Sequence, residues 1–395
     1  MASRDRVAFR RLTTSPDAHA AITLLHEIAA RPVGAWARRV DKPLALYGAG
    51  ALGKLAKQYC DRLGIRVAFV IDADAATRRL DSFWHGVVLH TPEEVEPRDK
   101  ADHLLAICVG KVPYTRLVAP LAESGWSDMV PFYTITASYA DRHPLGNGWF
   151  VGELAQDEVD GIAAVLRGYD DDASRAHHLQ FLAWHRLHEE WVFDDAPVNT
   201  ENRYFIDEVA DALGTEESLL DLGAHHGSVC RAFLERVGHR FREIWAVEPD
   251  DENRARLQVW MDALPDDERS RVHVMACAVG CASTPRAFFG GLDFASQFCD
   301  FGNLQVAVRR IDDLGLRPSF IKVHIEGAEL DAILGGVATI RAWRPLVTLS
   351  VYHNRLGLWE CPKALMEAFG GCGYRYKFRL HSWHGTGAVL YLLNR

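Results

Sequence analysis

Short apolar runs alternate with amphipathic stretches along most of this chain, the pattern of strands interleaved with helices. Between Lys42 and Tyr139 the runs Leu44–Tyr47, Val67–Ile71 and Leu104–Val109 predict strands, each followed by a turn or a polar segment. Ahead of them, His19–Ala37 has the spacing of an amphipathic helix. From about Trp149 to Thr200 the period changes. Asp170, Asp171 and Asp172 precede a helical pattern with Leu179, Ala183, Leu187 and Trp191 on one face. The acidic triplet reads as a solvated loop and helix N-terminus rather than a metal site. Strand-like runs resume at Leu219–Leu222, Glu243–Val247, Val272–Met275, Phe320–Ile325, Leu346–Val351, Arg375–Leu380 and Ala388–Leu393. No helical stretch separates the last two, so they predict a hairpin. The expected organisation is α/β throughout: residues 1–148, a helical connector over 149–200, and residues 201–395.

Length and composition narrow the class. A chain of 395 residues, 48% hydrophobic and 25% charged, suits two or three globular domains. The formal net charge of -9 argues against a nucleic-acid surface or a basic membrane patch. No apolar run approaches the roughly 18 residues that span a bilayer. Met1–Leu12 is basic but lacks the apolar core of a signal peptide. The 8 cysteines are scattered without a Cys-x-x-Cys pair, as in a reduced, cytoplasmic protein. Homo-oligomerisation stays open.

The densest chemistry lies in Leu219–Ser228. A strand runs into Asp221, then a turn with Gly223, Ala224, His225, His226 and Gly227, then a helix over Val229–Val237. Glycine at a strand exit lets backbone approach a ligand, and the helix N-terminus offers free N–H groups. The next strand ends at Glu248–Pro249, and an acid about twenty residues beyond such a turn accepts hydrogen bonds from ribose hydroxyls. This pattern, with the terminal hairpin, predicts a methyltransferase-type site for S-adenosylmethionine. Cys277 and Ala278, after the third strand, are expected beside the adenine, with mainly backbone contacts. Cys277 is not read as a reactive thiol; His225 is read as a spacer in the turn that faces solvent or the cofactor, and His226 as able to reach the substrate.

Residues 201–395 resemble the FkbM family of S-adenosylmethionine-dependent methyltransferases. The resemblance is carried by Leu220-Asp-Leu-Gly-Ala-His-His-Gly227, Ala246-Val-Glu-Pro-Asp250, Ala278-Val-Gly280, Phe320-Ile-Lys-Val-His-Ile-Glu-Gly-Ala-Glu329 and Ser350-Val-Tyr-His353. It implies a class I methyltransferase doubly wound sheet, and O-methylation of a hydroxyl on a saccharide or secondary metabolite. Methyl transfer from a sulfonium is an in-line displacement governed by positioning, and an alcohol also needs a base. His324 stands where the family usually has Asp. A near-neutral imidazole there is a candidate base, a substrate contact or a structural residue, and His353, ending the next strand, is the second catalytic candidate. Tyr204, Glu326 and Glu329 are candidate acceptor contacts. Two histidines with two glutamates also suit a metal, but Glu329 is expected to cap a helix over Leu330–Ile340, so no metal is expected.

The first segment carries a second turn. Leu44-Ala-Leu-Tyr-Gly-Ala-Gly-Ala-Leu-Gly53 places Gly48, Gly50 and Gly53 at the start of a helix, and Asp72 ends the following strand. Taken physically this is a nucleotide site, with phosphates on the helix N-terminus and Asp72 on a ribose. The stretch, with Ile-Asp-Ala-Asp74 and Ile-Cys-Val-Gly110, is similar to small Rossmann-like domains attached to sugar-modifying enzymes. That implies two Rossmann-like domains, the first binding a nucleotide or nucleotide-sugar. An inactive structural module and an NAD-dependent oxidoreductase are the alternatives, and a non-catalytic binding protein is the alternative for the whole chain.

Overall fold

The computed structural model describes residues 7–394; Met1–Arg6 of the basic N-terminal stretch and Arg395 lie outside the described residues. Two mostly parallel sheets organise the chain. The first has five strands in the order Leu89–His90, Val67–Ile71, Leu44–Tyr47, Leu104–Ile107, Met129–Pro131, all parallel. The second has seven, in the order Val272–Met275, Phe241–Val247, Glu217–Leu222, Phe320–Val323, Leu346–Ser350, Ala388–Leu393, Arg375–Leu380. Its last two strands run antiparallel as a hairpin against an otherwise parallel sheet. In both sheets the chain order reverses beside the first strand, which opens a crevice over that strand's carboxyl end.

The central strands are apolar on both faces because both are covered. On one face of the large sheet Leu220, Leu222, Ile321, Val323 and Leu349 share a core with helices Ala18–Ala30, Gln156–Gly168 and Asp172–Leu187. On the other, Leu219, Ile244, Phe320 and Leu346 pack with Val229, Phe233 and Phe205. Helix Asp172–Leu187 is buried almost all round, including His177, His178 and Arg186. The acidic triplet is its N-terminus, but Asp171 is not a solvated loop residue. Its carboxylate caps the Ser174 N–H at 2.8 Å and binds Arg379 at 2.7 Å and Lys377 at 3.0 Å, tying the helix to the hairpin.

Several expected elements end earlier than their apolar pattern. The N-terminal helix stops at Ala30 rather than Ala37, because Pro32 and Gly34 follow its last turn. Trp191 is not on the face with Leu187. His188 turns left-handed (φ 53°) and Glu189–Phe193 becomes a strand paired in parallel with Ala8–Leu12. The helix expected over Leu330–Ile340 is two, Glu329–Leu334 and Val337–Trp343, broken at Gly335–Gly336. A three-stranded antiparallel sheet of Arg286–Phe289, Gln297–Phe298 and Leu304–Val306 stands beside the cofactor-type crevice without having been read from the sequence. Among the described residues no helix is long and apolar enough to cross a membrane.

Candidate functional site

The strand Glu217–Leu222 delivers Gly223 into the crevice with φ +76°, and a Cβ there would lie 2.0 Å from the His324 carbonyl oxygen. Only glycine lets the two strand exits close together. Glu248, 5% exposed, reaches back from the neighbouring strand: its carboxylate accepts the N–H of His225 at 2.8 Å and of Asp250 at 3.0 Å. Burial raises its pKa, against the pull of those two donors. Each carboxylate oxygen keeps a free lone pair for a ligand hydroxyl. Asp72 does the same in the first sheet, accepting from Ala49 N–H at 2.7 Å and Asp74 N–H at 2.9 Å. There, a Cβ on Gly53 would strike the Gly48 carbonyl at 1.9 Å, so helix and turn can pack only through glycine.

A narrow slot of about 50 Å³ runs beside Glu248, walled by Gly223, His225, Pro249, Cys277 and Ala278 and reaching His324 and Glu326. Of the candidate cofactor residues, Ala224 lines instead the larger space described below, while Asp221 and Gly227 line neither. Asp221 is fully buried, 2.8 Å from Lys322 Nζ, whose ammonium also donates to the Gly223 carbonyl at 2.6 Å. Gly227 is the left-handed start of the helix Ser228–Arg236, with Trp260 and Leu257 packed where a Cβ would be. Cys277 is buried, which pushes its thiol pKa up and leaves it unreactive. His225 is more than a spacer: its Nε2 lies 2.6 Å from Asp293, and its ring stacks on His226.

The sequence reading missed the slot's outer wall: Asn253, Phe288, Asp293, Phe294, Ser296 and Phe298. Asn253 is on the helix Asp251–Asp262, and the others sit on the small antiparallel sheet and its turn, anchored where Asp250 accepts from Gly291 N–H and the Ser296 hydroxyl, each at 2.7 Å. The concentration of phenylalanine at 288, 289, 294, 298 and 301 was the available signal.

At the inner end four polar side chains converge. The Tyr204 hydroxyl meets His324 Nδ1; His324 Nε2 lies 2.9 Å from Glu326 Oε1 and 3.2 Å from the Tyr352 hydroxyl. Burial lowers the His324 pKa to about 4 despite Glu326, so the ring is neutral at pH 7. His353 behaves oppositely. Burial disfavours its charge, but Glu326 at 3.2 Å and Glu329 at 2.7 Å hold its pKa up to about 10. A ring that is already protonated cannot accept a proton, so His353 is not a base in this arrangement. Glu329 is not an acceptor contact either. It lies outside both the slot and the larger space and accepts the N–H groups of Ile325 and Gly327, at 3.2 and 2.9 Å.

The slot opens into a cavity of about 750 Å³ that also reaches Gly48, Gly50, Asp72 and Arg78 of the first sheet. Gly223, Ala224, His324, Glu326, Tyr204 and Tyr352 line its other side, so both glycine turns face one space. Arg203, which the sequence did not single out, lines the same space with Lys111.

Residues 221–376 match the family model described as Methyltransferase FkbM domain. No curated protein matches the chain. Among solved structures, the chain is similar to methyltransferase FkbM from Methylobacillus flagellatus KT, at 18% identity and a TM-score of 0.59, over 95% of this chain and 98% of that one. At that identity the likeness is one of fold, and it extends across both sheets. Precorrin-6y C5,15-methyltransferase from Geobacter metallireducens GS-15 matches at 13% identity and a TM-score of 0.28, over 50% of this chain and 93% of that one. Fibrillarin from Aeropyrum pernix matches at 12% identity and a TM-score of 0.29, over 45% and 67%. The chain therefore carries an FkbM methyltransferase domain at residues 221–376.

Proposed function

We propose that the protein is an S-adenosylmethionine-dependent O-methyltransferase whose acceptor is a sugar hydroxyl presented on a nucleotide-type carrier. The observation that carries this is a cavity that reaches the His324 cluster and the Gly48–Gly50 turn and shares Gly223, His225, His324 and Glu326 with the Glu248 slot. The slot residues fit the cofactor. Glu248 faces ribose hydroxyls with its free lone pairs, Phe288 and Phe298 offer apolar walls to a purine, and the Gly223 turn admits a chain at backbone distance. When bound, S-adenosylmethionine supplies a methyl group on a sulfonium. The protein's own work is then to hold the acceptor oxygen in line and take charge of its proton, which places the reacting hydroxyl at the His324–Glu326–Tyr352 cluster.

The first sheet supports the acceptor class. The helix Ala51–Leu63 opens at Gly50 toward the cavity, and Arg78, Lys111 and Arg203 add positive charge to it. A helix N-terminus with nearby cations is an anion site, suited to the phosphates of a nucleotide-sugar. Asp72 pairs with Arg78 at 3.6 Å and lines the same cavity, where its carboxylate can meet a ribose.

Calorimetry with S-adenosylhomocysteine tests the cofactor half, and absence of binding at high micromolar ligand would remove the reading. Glu248→Gln keeps the size but weakens the acceptor of the ribose hydroxyls. It is expected to reduce that affinity about 10- to 100-fold, from roughly 1.5–3 kcal/mol per charged hydrogen bond. Gly50→Asp tests the other half. A side chain there meets nothing within 4 Å, and Asp is a good helix N-cap, so folding is expected to be unharmed. The new carboxylate should instead repel phosphates. Binding of nucleoside diphosphate sugars, followed by thermal shift, is expected to fall more than tenfold with S-adenosylhomocysteine affinity unchanged. Equal binding by the variant would remove the first sheet from acceptor recognition.

A further inference from the structure

His324 Nε2, His353 Nε2 and Glu326 Oε1 crowd one point at the inner end of the slot, and a cation bound there would take the place of the proton on His353 Nε2. His324 Nε2, His353 Nε2 and Glu326 Oε1 form a triangle with sides of 2.9 Å (His324 to Glu326), 3.2 Å (His324 to His353) and 3.2 Å (His353 to Glu326). Two ring nitrogens facing each other share at most one proton along that line, and a carboxylate oxygen occupies the third corner. The outward nitrogens are separately secured: the Tyr204 hydroxyl holds His324 Nδ1, and the Glu329 carboxylate lies 2.7 Å from His353 Nδ1. Rings whose far nitrogen is fixed by a hydroxyl or carboxylate while the near one points inward have the arrangement that orients metal-ligating histidines. Ligands about 2.1 Å from one ion at tetrahedral or octahedral angles stand roughly 3.0–3.4 Å apart, close to all three sides of this triangle.

We propose that His324, His353 and Glu326 form a binding site for one divalent first-row transition cation. Two imidazoles and a carboxylate suit iron, manganese, cobalt, nickel or zinc rather than magnesium or calcium, which take oxygen ligands. Three protein ligands leave positions open, and His324 and Glu326 line the cavity on that side. The site stands on this geometry alone; its use rests on the methyl-transfer reading above. A hydroxyl bound at an open position is acidified by the ion. The O–H bond breaks and its proton passes to solvent. The oxygen then bonds the methyl carbon as the carbon–sulfur bond breaks, its electron pair staying on sulfur. His324 serves as a ligand in this scheme, which gives a reason for a histidine at its position.

A second group of possible ligands, His225, His226 and Asp293, stands at the slot's mouth and provides the internal control. Its His225 Nε2 is already bonded to Asp293 at 2.6 Å. The test is titration of chelator-treated full-length protein with Co²⁺, followed by visible d–d absorption. The expected result is one equivalent bound, weakened at least 100-fold in Glu326→Gln and in His353→Ala, and retained in His226→Ala. Because His353 is buried, the near-isosteric Glu326→Gln decides if the alanine variant fails to fold; circular dichroism reads folding in each. No Co²⁺ uptake, or a signal that survives Glu326→Gln and vanishes in His226→Ala, overturns the site. S-adenosylhomocysteine calorimetry on the same samples separates the two ideas. Cofactor binding without Co²⁺ uptake overturns the metal site alone, and Co²⁺ uptake without cofactor binding overturns the methyl-transfer reading alone.

Discussion

Between pH 7 and pH 5 the protein is expected to lose about 4 kcal/mol of stability through two histidines of its central helix. His177 and His178 are 2% and 0% exposed. His177 is held as a neutral tautomer: Nε2 faces the Ala196 carbonyl at 2.9 Å, and Nδ1 accepts the Leu380 N–H at 3.1 Å. His178 Nδ1 pairs with the Tyr169 hydroxyl at 2.8 Å. Burial lowers their pKa values to about 4 and about 3, from 6.5. Arg379 and His381 add to the effect on His177, while Asp171 opposes it. Because the folded-state values lie below the unfolded ones, the unfolded chain binds more protons as the pH drops from 6.5 toward 4. Stability is therefore full above about pH 6.5 and falls below it. Each ring contributes roughly 1.4 kcal/mol per pH unit, or about 2 kcal/mol by pH 5. Against a total of about 5–15 kcal/mol, such a loss brings the protein near unfolding. His188 and His384, lowered by burial to about 4 and about 3, act in the same direction. Thermal melts across this range check it, and a midpoint that stays flat from pH 7 to pH 5 would contradict it.

Lys322→Met is expected to destabilise the large sheet by about 3–5 kcal/mol, the cost of leaving a buried charge without its partner. Asp221 is completely buried, and Lys322 is its ion-pair partner at 2.8 Å, itself 3% exposed. Burial alone would lower the Lys322 pKa, but Asp221 outweighs it and the ammonium stays charged. The same ammonium binds the Gly223 carbonyl, so the variant should also loosen the turn over which the cofactor is expected to lie. Asp221→Asn combined with Lys322→Met removes both charges and is expected to recover much of the loss. Chemical denaturation of the two single variants and the double gives the coupling. Additive losses would show that the pair does not act as a unit.

At a strand exit before a glycine turn, Asp221 is expected to contact a ligand, since that position borders the crevice. Its role was decided by Lys322, 101 positions away on the adjacent strand, which pairs with it in register. Gly227 is a similar case: Trp260 and Leu257, from another helix, fill the space beside it. The strands themselves were legible, because burial on both faces demands continuous apolar runs, and the two strand–glycine–helix turns were legible because close backbone approach demands glycine. The connector was harder. A helix buried all round carries no clean polar face, so the strand starting at Glu189 was absorbed into it.

By itself the sequence determined two parallel-sheet units, the order of elements within them, a strand-end acid beside each glycine turn and the resemblance to FkbM methyltransferases. These are local demands, set by strand burial, turn conformation and helix ends over a few neighbouring residues. Tertiary structure decided what each side chain faces. It set both turns on one cavity and gave His353 a proton by placing Glu326 and Glu329 on either side of it. It also drew His324, Glu326 and His353 to within 3.2 Å of one another. Burial and the charge of neighbours distant in the chain fix protonation and ligation, and neither is written in the spacing of residues along it.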